Sequence, residues 1–205
     1  AMALMLAAAR RIAECNLRIR SEKESMWGTM CNLGFGLEGK TLGIIGMGNI
    51  GKNVARKAEA FGMNILYHNQ RSEVPGYRKA NLPTLLQQSD FITLHTPLTP
   101  ATRHLIGKQE LAQMKKTAIL INTARGAVID EAALTECLIK REIAGAALDV
   151  FEYEPKITEQ LYQLDNVVLT PHIAWRTDGA YIGMTKQVVQ SIAAFFKGEE
   201  FNVVV

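Results

Sequence analysis

The sequence predicts an α/β fold, a doubly wound parallel sheet in three α/β/α layers. Three observations lead there. Short apolar runs alternate along the chain with segments of helical periodicity. The runs are unbroken rather than alternating, as in strands buried on both faces of a parallel sheet. Between the first run and its helix stands a Gly-x-Gly-x-x-Gly turn at residues 46–51.

Taken in order, Met2 to about Arg20 reads as one buried helix rich in Ala and Leu. We do not expect its apolar start to be a leader, because Arg10 and Arg11 follow it instead of preceding it. It is also far short of the ~20 apolar residues that span a membrane. The abrupt, uncapped beginning leads us to expect a piece of something longer. Ser21 to Lys40 is looser, with four glycines. Thr41–Ile45 reads as a strand, Asn49–Phe61 as a helix with Gly62 at its stop, and Met63–Tyr67 as a second strand. Leu82–Gln88 is a short helix with Pro83 near its start, and Phe91–His95 a third strand. Lys108–Met114 is helical and Ala118–Asn122 a fourth strand. Asp130 suits the N-cap of a helix ending near Arg141. Gly145–Val150 and Val167–Leu169 complete about six strands, and a long helix runs from about Gly179 to Lys197 with Gly198 after it.

Composition narrows the function. The 205 residues carry 23 basic and 20 acidic side chains, a net charge of +3, with 48% apolar and 21% charged residues. A disordered chain would be less apolar and more charged, and so small a scattered charge gives no nucleic-acid surface. Cys15, Cys31 and Cys137 are odd in number and lack Cys-x-x-Cys spacing, which fits reduced thiols in a cytoplasmic protein. The histidines show no metal-ligand spacing.

Ligands of doubly wound sheets sit beyond the carboxyl ends of the strands. In the turn at 46–51, Gly46 permits the tight bend, Gly48 lets a pyrophosphate approach the backbone, and Gly51 lets the helix pack close to the strand. The amides opening the helix, at Asn49 and Ile50, then face the phosphates along a favourable dipole. The second strand ends Tyr67-His68-Asn69-Gln70-Arg71, without the acid that holds an adenine ribose and would repel a 2′-phosphate. Asn69 would tolerate that phosphate and Arg71 could pair with it, which favours NADP over NAD; alternatively Arg71 is a solvated loop charge and Asn69 bonds the ribose. His68 faces either the ribose or solvent.

Five blocks then resemble one family in their order: Gly46-Met47-Gly48-Asn49-Ile50-Gly51; Leu94-His95-Thr96-Pro97-Leu98-Thr99; Ile121-Asn122-Thr123-Ala124-Arg125-Gly126; Ala147-Leu148-Asp149-Val150-Phe151 followed by Glu154-Pro155; and Thr170-Pro171-His172-Ile173. Together they resemble the D-isomer-specific 2-hydroxyacid dehydrogenases, which include glyoxylate and hydroxypyruvate reductases, phosphoglycerate dehydrogenases and D-lactate dehydrogenases. The resemblance implies a Rossmann-like domain that binds NAD or NADP and reduces a small 2-keto acid. It implies that Arg125 clamps the substrate carboxylate, that His172 protonates the forming alkoxide, that Glu154 is its partner, and that His172 and Glu154 sit against the bound nicotinamide. The residue types suit those tasks: guanidinium binds carboxylate bidentately, and a carboxylate beside an imidazole favours its charged form and fixes the ring. By the same resemblance, Thr96, Pro97 and Thr102 line the cofactor near its nicotinamide ribose. Thr123 and Ala124 contact it beside Arg125, and Asp149 binds its carboxamide side.

The resemblance also implies what lies elsewhere. Residues 1–205 read as the coenzyme-binding domain with both crossover helices, and the substrate domain is essentially absent. We therefore expect dinucleotide binding with poor turnover, and a homodimer that covers the apolar face of Met2 to Ala13. After His172-Ile173 the chain reads Ala174-Trp175-Arg176 where many relatives have small residues. Trp175 either narrows the substrate pocket or stacks on neighbours. A non-catalytic dinucleotide sensor like the C-terminal binding protein corepressors is the alternative function; no basic cluster or disordered tail favours it. Formate-oxidising relatives place Gln where Glu154 stands, so Glu154 favours a keto acid.

Overall fold

The structure, a computed structural model, describes residues 1–22, 28, 31–70 and 72–199. It forms two compact units, Ala1–Pro171 and the segment from His172 onward.

The first unit is built on a seven-stranded sheet, parallel throughout. Its strands are β1 (Thr41–Ile45), β2 (Asn64–His68), β3 (Arg78–Lys79), β4 (Phe91–Leu94), β5 (Ile119–Asn122), β6 (Gly145–Leu148) and β7 (Val167–Leu169), in the order β3-β2-β1-β4-β5-β6-β7. The helices are α1 (Met2–Ala9), α2 (Ile12–Glu22), α3 (Asn49–Ala60), α4 (Leu82–Gln88), α5 (Lys108–Leu111) and α6 (Glu131–Ile139). The sheet is wound outward in both directions from β1 and β4, and the switch lies between those two strands.

Central strands are buried on both sides, which is why their sequences are continuous apolar runs. Their residues alternate between two cores. Ile92, Leu94, Leu120 and Leu148 join Leu85, Leu86, Leu134 and Leu138 of α4 and α6 on one face. Ile44, Phe91, Ile119, Ile121 and Ala147 join Leu4, Met5, Val54 and Ala58 of α1 and α3 on the other. These are the three expected layers.

Most elements fall within a residue or two of the sequence reading. Asn81 caps α4 by accepting from Thr84 N at 2.9 Å, and Asp130 caps α6 by accepting from Ala133 N at 3.0 Å. Two readings are corrected. The first helix is not continuous: it breaks at Arg10–Arg11, where Arg11 has φ 52°. The cause is a close crossing of the chain. The Ala9 carbonyl accepts from Phe35 N at 2.7 Å, and α2 restarts on an Arg11–Glu14 ion pair. The apolar face of α1 is also already covered, since Leu4, Met5 and Ala9 are buried against the unit's own sheet. The seventh strand, β3, escaped notice because it is two exposed charged residues at the sheet edge, a composition that discourages edge pairing.

The second unit contains α7 (Asp178–Lys197), capped by Thr177 Oγ1 accepting from Ala180 N at 3.1 Å and ended by Gly198 at φ 72°. Ahead of it, the Trp175 ring lies 5.2 Å from that of Tyr181, with the Arg176 guanidinium 5.7 Å from its centre. Trp175 thus packs on its neighbours Tyr181 and Arg176.

Candidate functional site

Within the first unit, the loops that leave β1, β2, β4, β5 and β6 all emerge at the carboxyl edge of the sheet. Each carries residues singled out in the sequence.

The turn after β1 divides its glycines by task. Gly46 has φ 97°, and a Cβ on it would lie 2.7 Å from the His95 carbonyl. A Cβ on Gly51 would lie 2.4 Å from Gly46 O. Both are demanded by the fold. Gly48 is different: φ is −83°, and a Cβ there would meet nothing within 4 Å. It caps α3 with no side chain over the helix amides, so its bareness keeps open the approach to a helix N-terminus. Asn49 and Ile50 form the first turn, and Ile50 is exposed.

Beyond β2, Asn69 Oδ1 accepts from Met47 N at 2.7 Å and its amide donates to Ser72 Oγ at 2.8 Å. Asn69 therefore ties the glycine turn to the loop after β2. Gln70 is exposed nearby, and Arg71 lies outside the described residues. His68 Nδ1 lies 3.0 Å from Ala80 O, so this ring is engaged with the β3 side.

A cleft of about 490 Å³ runs from Gly46, Gly48 and Asn69 to Thr96, Pro97 and Thr102. A second, of about 370 Å³, continues from Ile50, Thr96 and Pro97 to Thr123, Ala124 and Arg125. His95, Thr96 and Pro97 line both. Thr96 Oγ1 is buried without a hydrogen-bond partner among the described residues. Buried hydroxyls are rarely left unsatisfied, so this one is suited to a ligand group in the cleft. Thr102 has another role: its hydroxyl donates to Pro97 O at 2.6 Å and accepts from Thr99 N at 2.8 Å, which shapes the loop. The His95 ring lies 3.0 Å from Thr93 Oγ1, and burial pushes its pKa down to about 4. It adds no positive charge to the cleft at neutral pH.

After β5, Asn122 folds the turn by accepting from Ala124 N and donating to Arg125 O, each at 3.0 Å. Arg125 is exposed, and its Nη1 donates to Ala124 O at 2.7 Å. Asp149, at the end of β6, is buried and accepts from Thr170 Oγ1. Glu154 is exposed and accepts from Phe151 N at 3.0 Å. His172 opens the second unit with φ 53°. The structure thus brings all the described cofactor candidates except His172, together with Arg125 and Glu154, to one sheet edge of the first unit.

Sequence reasoning missed two supports. Gly126 has no room for a side chain, since a Cβ would fall 1.9 Å from the carbonyl of Phe151. Glu131 and Glu152 are a buried carboxylate pair joining the surrounding loops. An acid at the first position of a helix reads as ordinary dipole chemistry, so only the fold reveals its partner.

The geometry fits a dinucleotide on three counts: a bare helix N-terminus, a continuous cleft, and an unpartnered hydroxyl midway along it. Comparison with known proteins agrees. Residues 2–174 match the family described as D-isomer specific 2-hydroxyacid dehydrogenase, NAD binding domain. The chain is 49% identical to a glyoxylate reductase of Thermococcus litoralis, over 97% of this chain and 63% of that one. It resembles the crystal structure of a glyoxylate reductase from Paecilomyes thermophila with a TM-score of 0.90 and 41% identity, over 98% of this chain and 62% of that one. It also resembles an acyclic imino acid reductase in complex with NADPH and D-Arg, with a TM-score of 0.91 and 33% identity, over 100% and 66% of the two chains. The chain spans less than two thirds of each of these relatives.

Proposed function

The chain belongs to the D-isomer specific 2-hydroxyacid dehydrogenase family as its NAD binding domain, and from that premise we propose that it serves an enzyme reducing a small 2-keto acid, such as glyoxylate, to a D-2-hydroxy acid. The observation that carries the proposal is the sequence of features along the cleft. An unobstructed glycine at a helix start is followed by a buried unpartnered hydroxyl and then by an exposed guanidinium.

Bound along this cleft, a nicotinamide dinucleotide supplies the hydride. Gly46, Gly48, Asn49, Ile50 and Gly51 would seat the pyrophosphate, and Asn69 and Gln70 the adenosine ribose. Thr96, Pro97, Thr102, Thr123 and Ala124 would line the nicotinamide ribose, with Asp149 at the carboxamide. The absence of an acid from 68–71 favours NADPH over NADH, because a carboxylate there would repel the 2′-phosphate. Arg125 would bind the substrate carboxylate through paired N–H groups. His172 would deliver a proton to the ketone oxygen as it gains charge, and Glu154 would favour the protonated imidazole.

The curated relatives are longer by more than a third of their own length, and we propose that the part closing over the keto acid lies outside these residues. Water exclusion by such closure contributes strongly to rate. We further propose that the protein is a cytoplasmic homodimer. The three free cysteines and the exposed Ile12, Leu17 and Ile19 of α2 support this reading, and no helix among the described residues is long and apolar enough to cross a membrane.

Titration of the 205-residue chain with NADPH and NADH, followed by nicotinamide fluorescence, tests the function. We expect saturable binding, tighter for NADPH, and slow oxidation when glyoxylate is added. Failure of both coenzymes to bind would overturn the proposal. Brisk turnover would overturn the reliance on further chain.

A further inference from the structure

Glu131 and Glu152 are unusual among the acids of the first unit. The Glu131 residue is 4% exposed and the Glu152 side chain 3%. Each carboxylate binds the backbone amide of the other: Glu152 N donates to Glu131 Oε2 at 2.8 Å, and Glu131 N donates to Glu152 Oε2 at 3.3 Å. The remaining oxygens are also used. Glu131 Oε1 accepts from Thr158 N at 3.1 Å and from Thr158 Oγ1. Glu152 Oε1 accepts from His104 Nε2 at 2.7 Å and from Arg103 Nη2 at 3.0 Å.

Burying two carboxylates is strongly unfavourable unless donors surround them. Here every carboxylate oxygen has a charged or backbone donor, and the donors come from three different loops. One loop, 95–107, presents Thr96 and Pro97 to the cleft and supplies Arg103 and His104. Another, after β6, carries Asp149 and Glu154 and supplies Glu152 and Thr158. The third turns from Arg125 into α6 and supplies Glu131. Backbone bonds reinforce the join: His104 N donates to Ala127 O at 2.9 Å and Ile106 N to Val128 O at 3.1 Å. Among the described residues, no hydrogen bond joins the glycine turn after β1 to either carboxylate.

We propose that Glu131 and Glu152 are positioning residues, a reciprocal carboxylate clamp that sets the nicotinamide end of the cleft without touching the cofactor. The inference rests on the dinucleotide reading above. That reading puts the pyrophosphate at Gly48 and the adenosine beyond β2, so the other half of the ligand must lie toward β4, β5 and β6. Those three strands feed the loops that the clamp joins. Glu131 and Glu152 therefore act on one half of the ligand, and that asymmetry separates positioning from general stabilisation.

The test compares two ligands on the same 205-residue chain. Adenosine diphosphoribose carries the adenosine and pyrophosphate but no nicotinamide, and NADPH or NADH carries both halves. For Glu152→Ala we expect adenosine diphosphoribose affinity within about twofold of wild type, with NADPH and NADH weakened about tenfold. In Glu152→Gln, His104 can still meet the side-chain amide in its other tautomer, and most of the loss should be recovered. Equal weakening of all ligands would overturn the clamp in favour of a purely structural role, as would no weakening of any. If Glu152→Ala does not fold, Glu152→Gln and Arg103→Ala carry the same comparison with smaller expected losses, and unchanged coenzyme affinity in both overturns the clamp. A wild-type chain that binds none of these ligands overturns the dinucleotide reading itself, and the clamp with it.

Discussion

Replacing Gly48 with alanine should separate binding from folding. The Cβ would meet nothing within 4 Å, and at φ −83° the backbone already suits an L-residue. The stability cost is limited to a poorer helix N-cap, about 1 kcal/mol or less. For a domain of this size that lowers Tm by about 2–4 °C. The new methyl group, however, stands where a pyrophosphate must approach the first amides of α3. Losing two charge-assisted hydrogen bonds costs about 3 kcal/mol, or roughly a hundredfold in Kd. Gly46→Ala and Gly51→Ala are the controls. Gly46 sits at φ 97° against the His95 carbonyl, and a Cβ on Gly51 falls 2.4 Å from Gly46 O. Each should lose about 2 kcal/mol or more of stability. Thermal melts with NADPH and NADH titrations of the three variants supply the data. A Gly48→Ala chain that binds coenzyme like wild type would show that no phosphate approaches there. One that melts as early as Gly51→Ala would show that the open space has been misread.

Two further outcomes follow from buried groups. His95 has a folded pKa of about 4, below the ordinary 6.5, so the unfolded chain binds its proton first. Its neutral burial is uncompromised above pH 6.5, and stability is lost as pH falls from there toward 4, by up to about 3 kcal/mol. Urea unfolding at pH 7 and pH 4.5 should show a smaller acid loss for His95→Gln than for wild type; an equal loss would contradict the assignment. Gly126→Ala forces a Cβ to within 1.9 Å of the Phe151 carbonyl. Because the obstacle is backbone, the loss should reach roughly 3 kcal/mol, and a melt within 2 °C of wild type would refute the close packing.

The fold was legible because the physics was local. Unbroken runs such as Ile119–Asn122 can be buried only on both faces, and Pro83, Asp130 and Gly198 mark helix ends by their own chemistry. What escaped depended on distant partners. Nothing in Met2–Arg20 reveals that residues 34–35 will cross Ala9 and break the helix. The candidate site divides in the same way. Gly46, Gly48 and Gly51 declare themselves by spacing, whereas Glu131, Glu152 and Gly126 matter through contacts with residues as much as 49 positions away. Asn69 was visible as a missing acid, but its bond to Met47 N was not.

The central claim is that bare backbone at the start of α3 receives the diphosphate of a pyridine nucleotide. A crystal structure of the chain grown with NADPH or NADH tests it most directly. The account predicts density for the diphosphate over Gly48, with the nicotinamide directed past Thr96 toward Arg125. A nucleotide bound elsewhere, or a turn left vacant at saturating coenzyme, would contradict it.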